Sequence, residues 1–378
     1  MKFLVLGVGM MGYACIFDLL NSDGIERVTA VDINQQNLDN LSKITDSKIL
    51  KRVNLDIKDT SKLSELMKDH DVVISVISYK LNYELTELAI ENNCHFCDLG
   101  GNNTIVEKQY TLHNKAQKNN VTVIPDCGLA PGVVSNLAAL IISRFDTVNT
   151  LKLRVGGLPQ KPEPPLNYAK FFSPEGLINE YFEIPVMVRN HEIIEAEPLG
   201  DLETLFFDDF PELEAFNTSG GTSTLPKNFR TKVKNLDYKT IRYAGHCNKI
   251  KILYELGLMD YKPVKVAGVE IAPREILMYL LEKILPDNPE DVILLRVQGS
   301  GMKDGENLTT TIEIVDYYDK KSNISAMMRM TSYPLSIIAQ MLARGDVKDK
   351  GVRPSELVVD FKMLIEELKK RQVNIKIY

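Results

Sequence analysis

Three glycines at fixed spacing, Gly7, Gly9 and Gly12, stand in the run GVGMMG directly after the apolar stretch KFLVL. The first glycine permits a tight turn, and the second lets backbone approach a pyrophosphate. The third allows a helix to pack closely on the strand, and the helix N-terminus offers NH groups and positive dipole to phosphates. Gly7, Gly9, Met10, Met11 and Gly12 are therefore the expected cradle for a dinucleotide. Asp32, twenty residues after Gly12, ends a second apolar run at the offset where a carboxylate meets ribose hydroxyls. That carboxylate would repel a 2′-phosphate, and Ile33, Asn34 and Gln35 supply no arginine to attract one, so NAD rather than NADP is the expected cofactor. Asp56 is a candidate for the adenine edge and, equally, for a helix cap.

Other polar residues fall where later apolar runs end, in SVISYK, CDLGGN and PDCGLAPG. Ligands of a doubly wound sheet gather at the carboxyl ends of its strands. Ile77 and Ser78 are accordingly expected at the nicotinamide ribose, with Asp98 among the cofactor contacts. Asp126, followed by Gly128 and a Pro131-Gly132 pair, could hold an ammonium group or act as a base. Further on, TIRYAGH brings Arg242, Tyr243 and His246 within five residues. A guanidinium is a bidentate fork for a carboxylate, and a histidine with its ordinary pKa of about 6.5 suits a general base. The same stretch also reads as a strand running into a turn at Gly245. The CHFC segment imitates a metal or redox pair. In an extended strand, however, Cys94 and Cys97 point to opposite faces, and no second pair lies at finger spacing, so no metal is expected. His70 and His113 are expected on the surface.

The elements that must position these residues alternate regularly in the first third of the chain. KFLVLGV, RVTAVDI, KRVNLDI, DVVISVIS, HFCDLG and VTVIPDCG read as strands, each followed by a helical pattern, with a Thr or Ser capping TSKLSELMKD. Six such repeats imply an α/β fold with a doubly wound parallel sheet. After LAPGVVSNLAALIISRF the texture changes to TLKLRVGGLP, a proline-rich loop, and long antiparallel-looking strands such as DVILLRVQGSG, interrupted by helices. PREILMYLLEKIL carries a 3.6-residue apolar stripe. The expected organisation is a nucleotide-binding domain over 1–130, an α+β substrate domain over 131–326, and C-terminal helices over 327–378 that return to the first.

The 378 residues have an ordinary globular composition, 44% hydrophobic and 25% charged, with a net charge of −6 and no basic block. That argues against nucleic acid or an anionic membrane as partner. Five cysteines suit reduced thiols, and Asp18 inside the first apolar run speaks against a signal peptide, so a cytoplasmic location is expected.

With GVGMMG, DLGG, DCGLAPG, RYAGH followed by ELGL, and TSYPLSIIAQMLARG in order along the chain, the sequence resembles the saccharopine dehydrogenase superfamily, nearest its lysine 6-dehydrogenase branch. The resemblance implies a Rossmann domain, an inserted substrate domain and a dimer formed through the second domain. It also implies a small amino acid as substrate, with Arg242, Tyr243, Thr222 and Gly101 at the substrate and Asp126 and His246 in proton transfer. Saccharopine reductases carry Asn-Arg-Asp where this chain has AFNTSGGTSTL, with Thr218, Ser219, Gly220 and Gly221 in place of the arginine's neighbourhood. They also tend to have RYQGF where lysine dehydrogenases have RYPGH; this chain keeps the histidine and departs at Ala244. Both differences favour free L-lysine, oxidised at its ε-carbon. The alternatives are saccharopine dehydrogenase, a carboxynorspermidine-type reductase, and a non-catalytic NAD-binding sensor or scaffold.

Overall fold

The computed structural model describes residues 1–43, 47–287 and 290–378, which group into two units. The first contains Met1–Ala139 and Met328–Val373; the second contains Leu140–Met327 and Asn374–Tyr378.

In the first unit the strands β1 (Lys2–Leu6), β2 (Arg27–Asp32), β3 (Leu50–Asn54), β4 (Val72–Ser75), β5 (His95–Asp98) and β6 (Thr122–Ile124) alternate with helices. These are α1 (Met10–Leu20), α2 (Gln35–Asn40), α3 (Thr60–Met67), α4 (Asn82–Glu91), and α5 (Asn103–Thr111) with α6 (His113–Lys118). α7 (Val133–Ile142) follows β6. All pairings are parallel, in the order 3-2-1-4-5-6, so the doubly wound sheet read from the sequence is present. β4 is buried at every position and β1 at all but its first, as a strand covered by helices on both faces must be. Caps come from side chains of the connecting turns: Asn34 for α2, Asp59 for α3 and Asn102 for α5. The α3 cap is thus Asp59, not Thr60 or Ser61, because the carboxylate one residue earlier accepts from Lys62 N. His70, expected on the surface, is buried in this unit, bonded to Leu66 O and to the Thr29 hydroxyl. Cys94 and Cys97 are buried free thiols.

The second unit is built on a nine-stranded mixed sheet. Its strands include β7 (Thr147–Pro159), the β8 (Val186–Arg189) and β9 (Glu192–Glu195) hairpin, β10 (Glu203–Leu205), β11 (Leu213–Asn217) and β12 (Val233–Tyr243). A small separate hairpin, β13 (Val264–Val266) and β14 (Val269–Ile271), precedes the long antiparallel pair β15 (Asp291–Lys303) and β16 (Glu306–Tyr317). β15 and β16 pair antiparallel, as the sequence suggested, and β7 and β12 pair in parallel at the centre. The helices are α8 (Pro174–Phe182), α9 (Leu225–Phe229), α10 (His246–Glu255) and α11 (Pro273–Ile284). Apolar residues of α8, α10 and α11 pack with Phe216 of β11 into one core on one face of the sheet. The opposite face carries a second cluster of Leu158, Leu213, Ala215, Ile241, Tyr243 and Leu294. Because successive strand residues alternate in direction, β12 sends Tyr238, Thr240 and Arg242 toward the helices and Asp237, Lys239, Ile241 and Tyr243 away.

The chain then enters α12 (Ala326–Arg344), whose first NH groups are capped by the Asp291 carboxylate. β17 (Gly351–Val352) adds to the first sheet beside β6, followed by α13 (Ser355–Val358) and α14 (Phe361–Lys370). Arg371 closes this segment onto α1 through a bidentate pair with the buried Asp18. The last strand, β18 (Ile375–Ile377), joins the second sheet beside β16. Among the described residues no helix is long and apolar enough to cross a membrane.

Candidate active site

In the first unit the glycine-rich turn has the geometry a dinucleotide needs. Gly7 takes a φ of 98°, which only glycine adopts without strain, and a Cβ on Gly12 would collide with the Gly7 carbonyl. Around Gly9 there is open space, so backbone there is free to approach a ligand. Gly9 also forms the N-terminal boundary of α1, with Met10 half exposed at its first turn and the Met11 carbonyl accepting from Ser332. Asp32 is positioned at the end of β2, where its carboxylate accepts from Val8 N at 2.7 Å and Asn34 N at 2.7 Å. It therefore ties the glycine turn to the end of the next strand. Ile77 packs against the Gly7 turn, and a Cβ on Gly7 would lie 2.7 Å from its Cγ2.

Asp56 is exposed and accepts from Lys58 N within its own turn. One expected cofactor contact is corrected. Asp98 is fully buried, and its carboxylate is consumed inside the unit: Gly100 N donates at 2.6 Å, Gln109 Nε2 at 2.7 Å and Asp126 N at 3.4 Å. Burial pushes the Asp98 carboxyl up to about 6 against these hydrogen bonds. It shapes the turn on which Asp126 stands. Asp126 has a left-handed φ of 61°, and a side chain at Gly100 would run into its carboxylate. Gly101, with φ 115°, lies against the Tyr79 ring in this same unit.

In the second unit the helical face of β12 carries a buried polar chain. The Arg242 Nε donates to the Tyr181 hydroxyl at 2.8 Å, and that hydroxyl is 3.0 Å from His246 Nε2. His246 Nδ1 lies 2.9 Å from the Leu166 carbonyl. An arginine only donates and a carbonyl only accepts, so the protons are assigned in one direction: Tyr181 O–H donates to Nε2, and Nδ1–H donates to Leu166. Arg242 also donates to Ile241 O and faces the Glu180 carboxylate at 3.3 and 3.4 Å. The Tyr168 ring lies 4.5 Å from its guanidinium carbon. Thr240 donates to Glu180 at 2.6 Å and so must accept from Thr218, 2.7 Å away.

This arrangement corrects several expectations. His246 is 2% exposed with both ring nitrogens engaged, and burial together with the Arg242 charge pushes it down to about 3. It is a neutral imidazole at physiological pH, not a base with its ordinary pKa. Arg242, expected to meet a substrate carboxylate, is engaged by the protein's own Glu180. Tyr243 points to the opposite face and donates to Pro159 O at 2.8 Å, so it does not join Arg242. Thr222 is buried, in the turn between β11 and α9, where its carbonyl accepts from Leu225 N. The sequence reading missed Glu180, Tyr181 and Tyr168. Nothing in SPEGLINEYF distinguishes Glu180 and Tyr181 from ordinary helix residues; only the fold brings them beneath β12.

A glycine turn after the first strand, an acid ending the second, and a 3-2-1-4-5-6 sheet together define a pyridine-nucleotide-binding protein. The chain belongs to the saccharopine dehydrogenase family. It matches the family's NADP binding domain over residues 3–124 and its C-terminal domain over 128–373. It is 24% identical to the saccharopine dehydrogenase [NADP(+), L-glutamate-forming] of Saccharomyces cerevisiae, covering 92% of each chain. Over 68% of its length it is 26% identical to the mitochondrial alpha-aminoadipic semialdehyde synthase of Bos taurus, but it spans only 28% of that protein. The apo saccharopine dehydrogenase (L-Glu forming) structure from Saccharomyces cerevisiae shares the fold, with a TM-score of 0.81, 21% identity, and 100% and 99% of the two chains covered.

Proposed function

We propose that this protein oxidises the amine-bearing carbon of an amino acid with a single carboxylate, L-lysine at its ε-carbon, with NAD as the cofactor. The observation that carries the reading is the state of Arg242. Its guanidinium is taken up by Glu180 and Tyr181, and the Thr218–Gly221 turn beside them contains no cation. Saccharopine brings two further carboxylates beyond the single one of lysine, and these groups offer them no free positive partner. Free lysine lacks both.

Gly7, Gly9, Gly12 and Asp32 would hold the dinucleotide, which when bound supplies the two-electron acceptor for a hydride. The absence of a cation at positions 33–37 supports NAD, although the family's domain and the yeast relative carry NADP in their names. Hydride leaves the ε-carbon only if its nitrogen is neutral, because an ammonium nitrogen has no lone pair to push. We assign uptake of that proton to Asp126, and assign to His246 the positioning of Tyr181 and Arg242. Loss of hydride and one proton turns the C–N bond into an imine. Water hydrolyses the imine to the semialdehyde and ammonia.

The test mixes the protein with NAD or NADP and with L-lysine or saccharopine, and follows the absorbance of reduced nicotinamide. The expected outcome is reduction with lysine and NAD. Reduction with saccharopine and none with lysine would overturn the substrate assignment, and a preference for NADP would overturn the cofactor assignment alone.

A further inference from the structure

The polar chain beneath α8 presents opposite charges to its inside and its outside. Arg242 is 2% exposed, Thr240 1%, Tyr181 1% and His246 2%. The Glu180 side chain, at 17%, is the member of this chain that reaches solvent. Approached from outside, the cluster therefore presents an acceptor-only carboxylate, and the guanidinium lies behind it. Arg242 cannot easily turn outward, since Tyr181, Ile241 O and the Tyr168 ring hold it from other sides.

Glu180 is also aimed. Thr240 donates to Oε1 at 2.6 Å, while the Arg242 contacts are longer, so the short hydroxyl bond sets the carboxylate's orientation. A carboxylate has about four acceptor sites, and these partners leave some of them for a ligand. The neighbouring turn leaves room: Ser219 N donates to the Glu180 carbonyl, and a Cβ on Gly220 would meet nothing within 4 Å.

The local charge count points the same way. Glu214, directly across the strand pair from Arg242, is a second carboxylate, engaged by Gly245 N and Cys247 N at the start of α10. Glu180 is thus the one carboxylate that meets the guanidinium, with Glu214 spent on backbone NH groups and His246 neutral. Arg274, packed against α8, is bonded to Asn179 and lies 3.6 Å from the Tyr261 ring centre.

We propose that Glu180, held by Thr240 and backed by Arg242, is a binding site for the non-reacting ammonium group of the substrate, and so selects amine-bearing over acid-bearing ligands. With lysine oxidised at its ε-carbon, the group bound is the α-ammonium; to that extent the assignment rests on the function proposed above. Its binding test does not depend on turnover.

Calorimetric titration of the protein at pH 8, without nucleotide, uses three probes: L-lysine, 1,5-diaminopentane, which lacks the carboxylate, and 6-aminohexanoate, which lacks the α-amine. In the wild type, lysine and the diamine are expected to bind at least tenfold more tightly than 6-aminohexanoate, which lacks the second amine that Glu180 would meet. Glu180→Gln should weaken lysine and the diamine at least tenfold and leave 6-aminohexanoate within twofold. If Glu180→Gln does not fold, Thr240→Val, which removes the orienting hydroxyl, should weaken the two amines threefold or more with the same sparing of 6-aminohexanoate. No binding of either amine to the wild type overturns the proposal. So does unchanged lysine affinity in the variant that folds, or a loss for 6-aminohexanoate as large as for lysine. If lysine binds through Glu180 but is not oxidised, the ammonium site stands and only the proposed reaction falls.

Discussion

Two arginines lie equally deep on opposite faces of the second sheet, each 2% exposed, and their surroundings differ in kind. Arg154 pairs with Asp237 at 2.6 Å and with Glu203. Arg189 shares Asp237 at 3.0 Å, and Lys239 bridges Glu203 at 3.2 Å and Asp201 at 3.1 Å. Three cations meet three carboxylates, and although burial works against it, Arg154 and Arg189 hold Asp237 below the ordinary carboxylate range. Arg242 instead meets one carboxylate at a longer distance, a phenol and two aromatic rings. The first arginine closes a saturated ionic network; the second lifts a single carboxylate toward solvent. Depth of burial alone does not separate structure from function, whereas the group left facing outward does.

The largest effect expected is on the saturated side. Arg154→Met leaves Asp237 and Glu203 without their principal partner and should cost about 3–5 kcal/mol, read as a shift in the urea unfolding midpoint. Arg242→Met should cost clearly less, because Glu180 can be hydrated once released, yet it should abolish the substrate-dependent reduction of nicotinamide. Equal stability losses, or an active Arg242→Met, would break the contrast between the faces.

His246 sharpens the comparison through pH. Its folded pKa is pushed down to about 3 against about 6.5 when unfolded, so the unfolded chain takes up the proton first as pH falls. The stability linked to this group is fully present above pH 6.5 and drains away between there and about 3, by about 1.4 kcal/mol per pH unit. His246→Phe should remove this part of the slope, at the expense of the Tyr181 and Leu166 hydrogen bonds at neutral pH. Urea unfolding at pH 7 and pH 5 measures the difference between the two proteins. An unchanged slope would mean that His246 titrates normally and is open to solvent.

The first unit was largely legible in the sequence because its signals are local. Apolar runs of strand length, glycines at fixed spacing and an acid at a fixed offset each follow from a single strand–helix turn. The second site was only half legible. TIRYAGH marked the right strand, but a sequence does not say which face each side chain takes, and Arg242 and Tyr243 separate by simple alternation. Their partners lie far away along the chain: Glu180 and Tyr181 on α8, Leu166 in the proline-rich loop, Glu214 on β11. The same limitation misplaced Asp98 and His70, whose polar groups are satisfied internally by Gln109 and Gly100, and by Leu66 and Thr29. A polar residue next to a strand end reads as exposed until its long-range partner is known.

The smallest effect tests that alternation directly. Tyr243 follows Arg242 in sequence, but it packs with Ile241, Leu213 and Leu158 and donates its hydroxyl to Pro159 O. Tyr243→Phe removes one buried hydrogen bond and no packing, so it should lower stability by about 1 kcal/mol. Because the hydroxyl lies across the sheet from Glu180 and Arg242, kcat/KM should stay within twofold of the wild type, and lysine affinity should not move. Steady-state kinetics beside the urea midpoint measures both. A tenfold loss of kcat/KM without a matching loss of stability would mean that the two faces communicate, and that strand alternation does not isolate the ammonium site from the apolar core behind it.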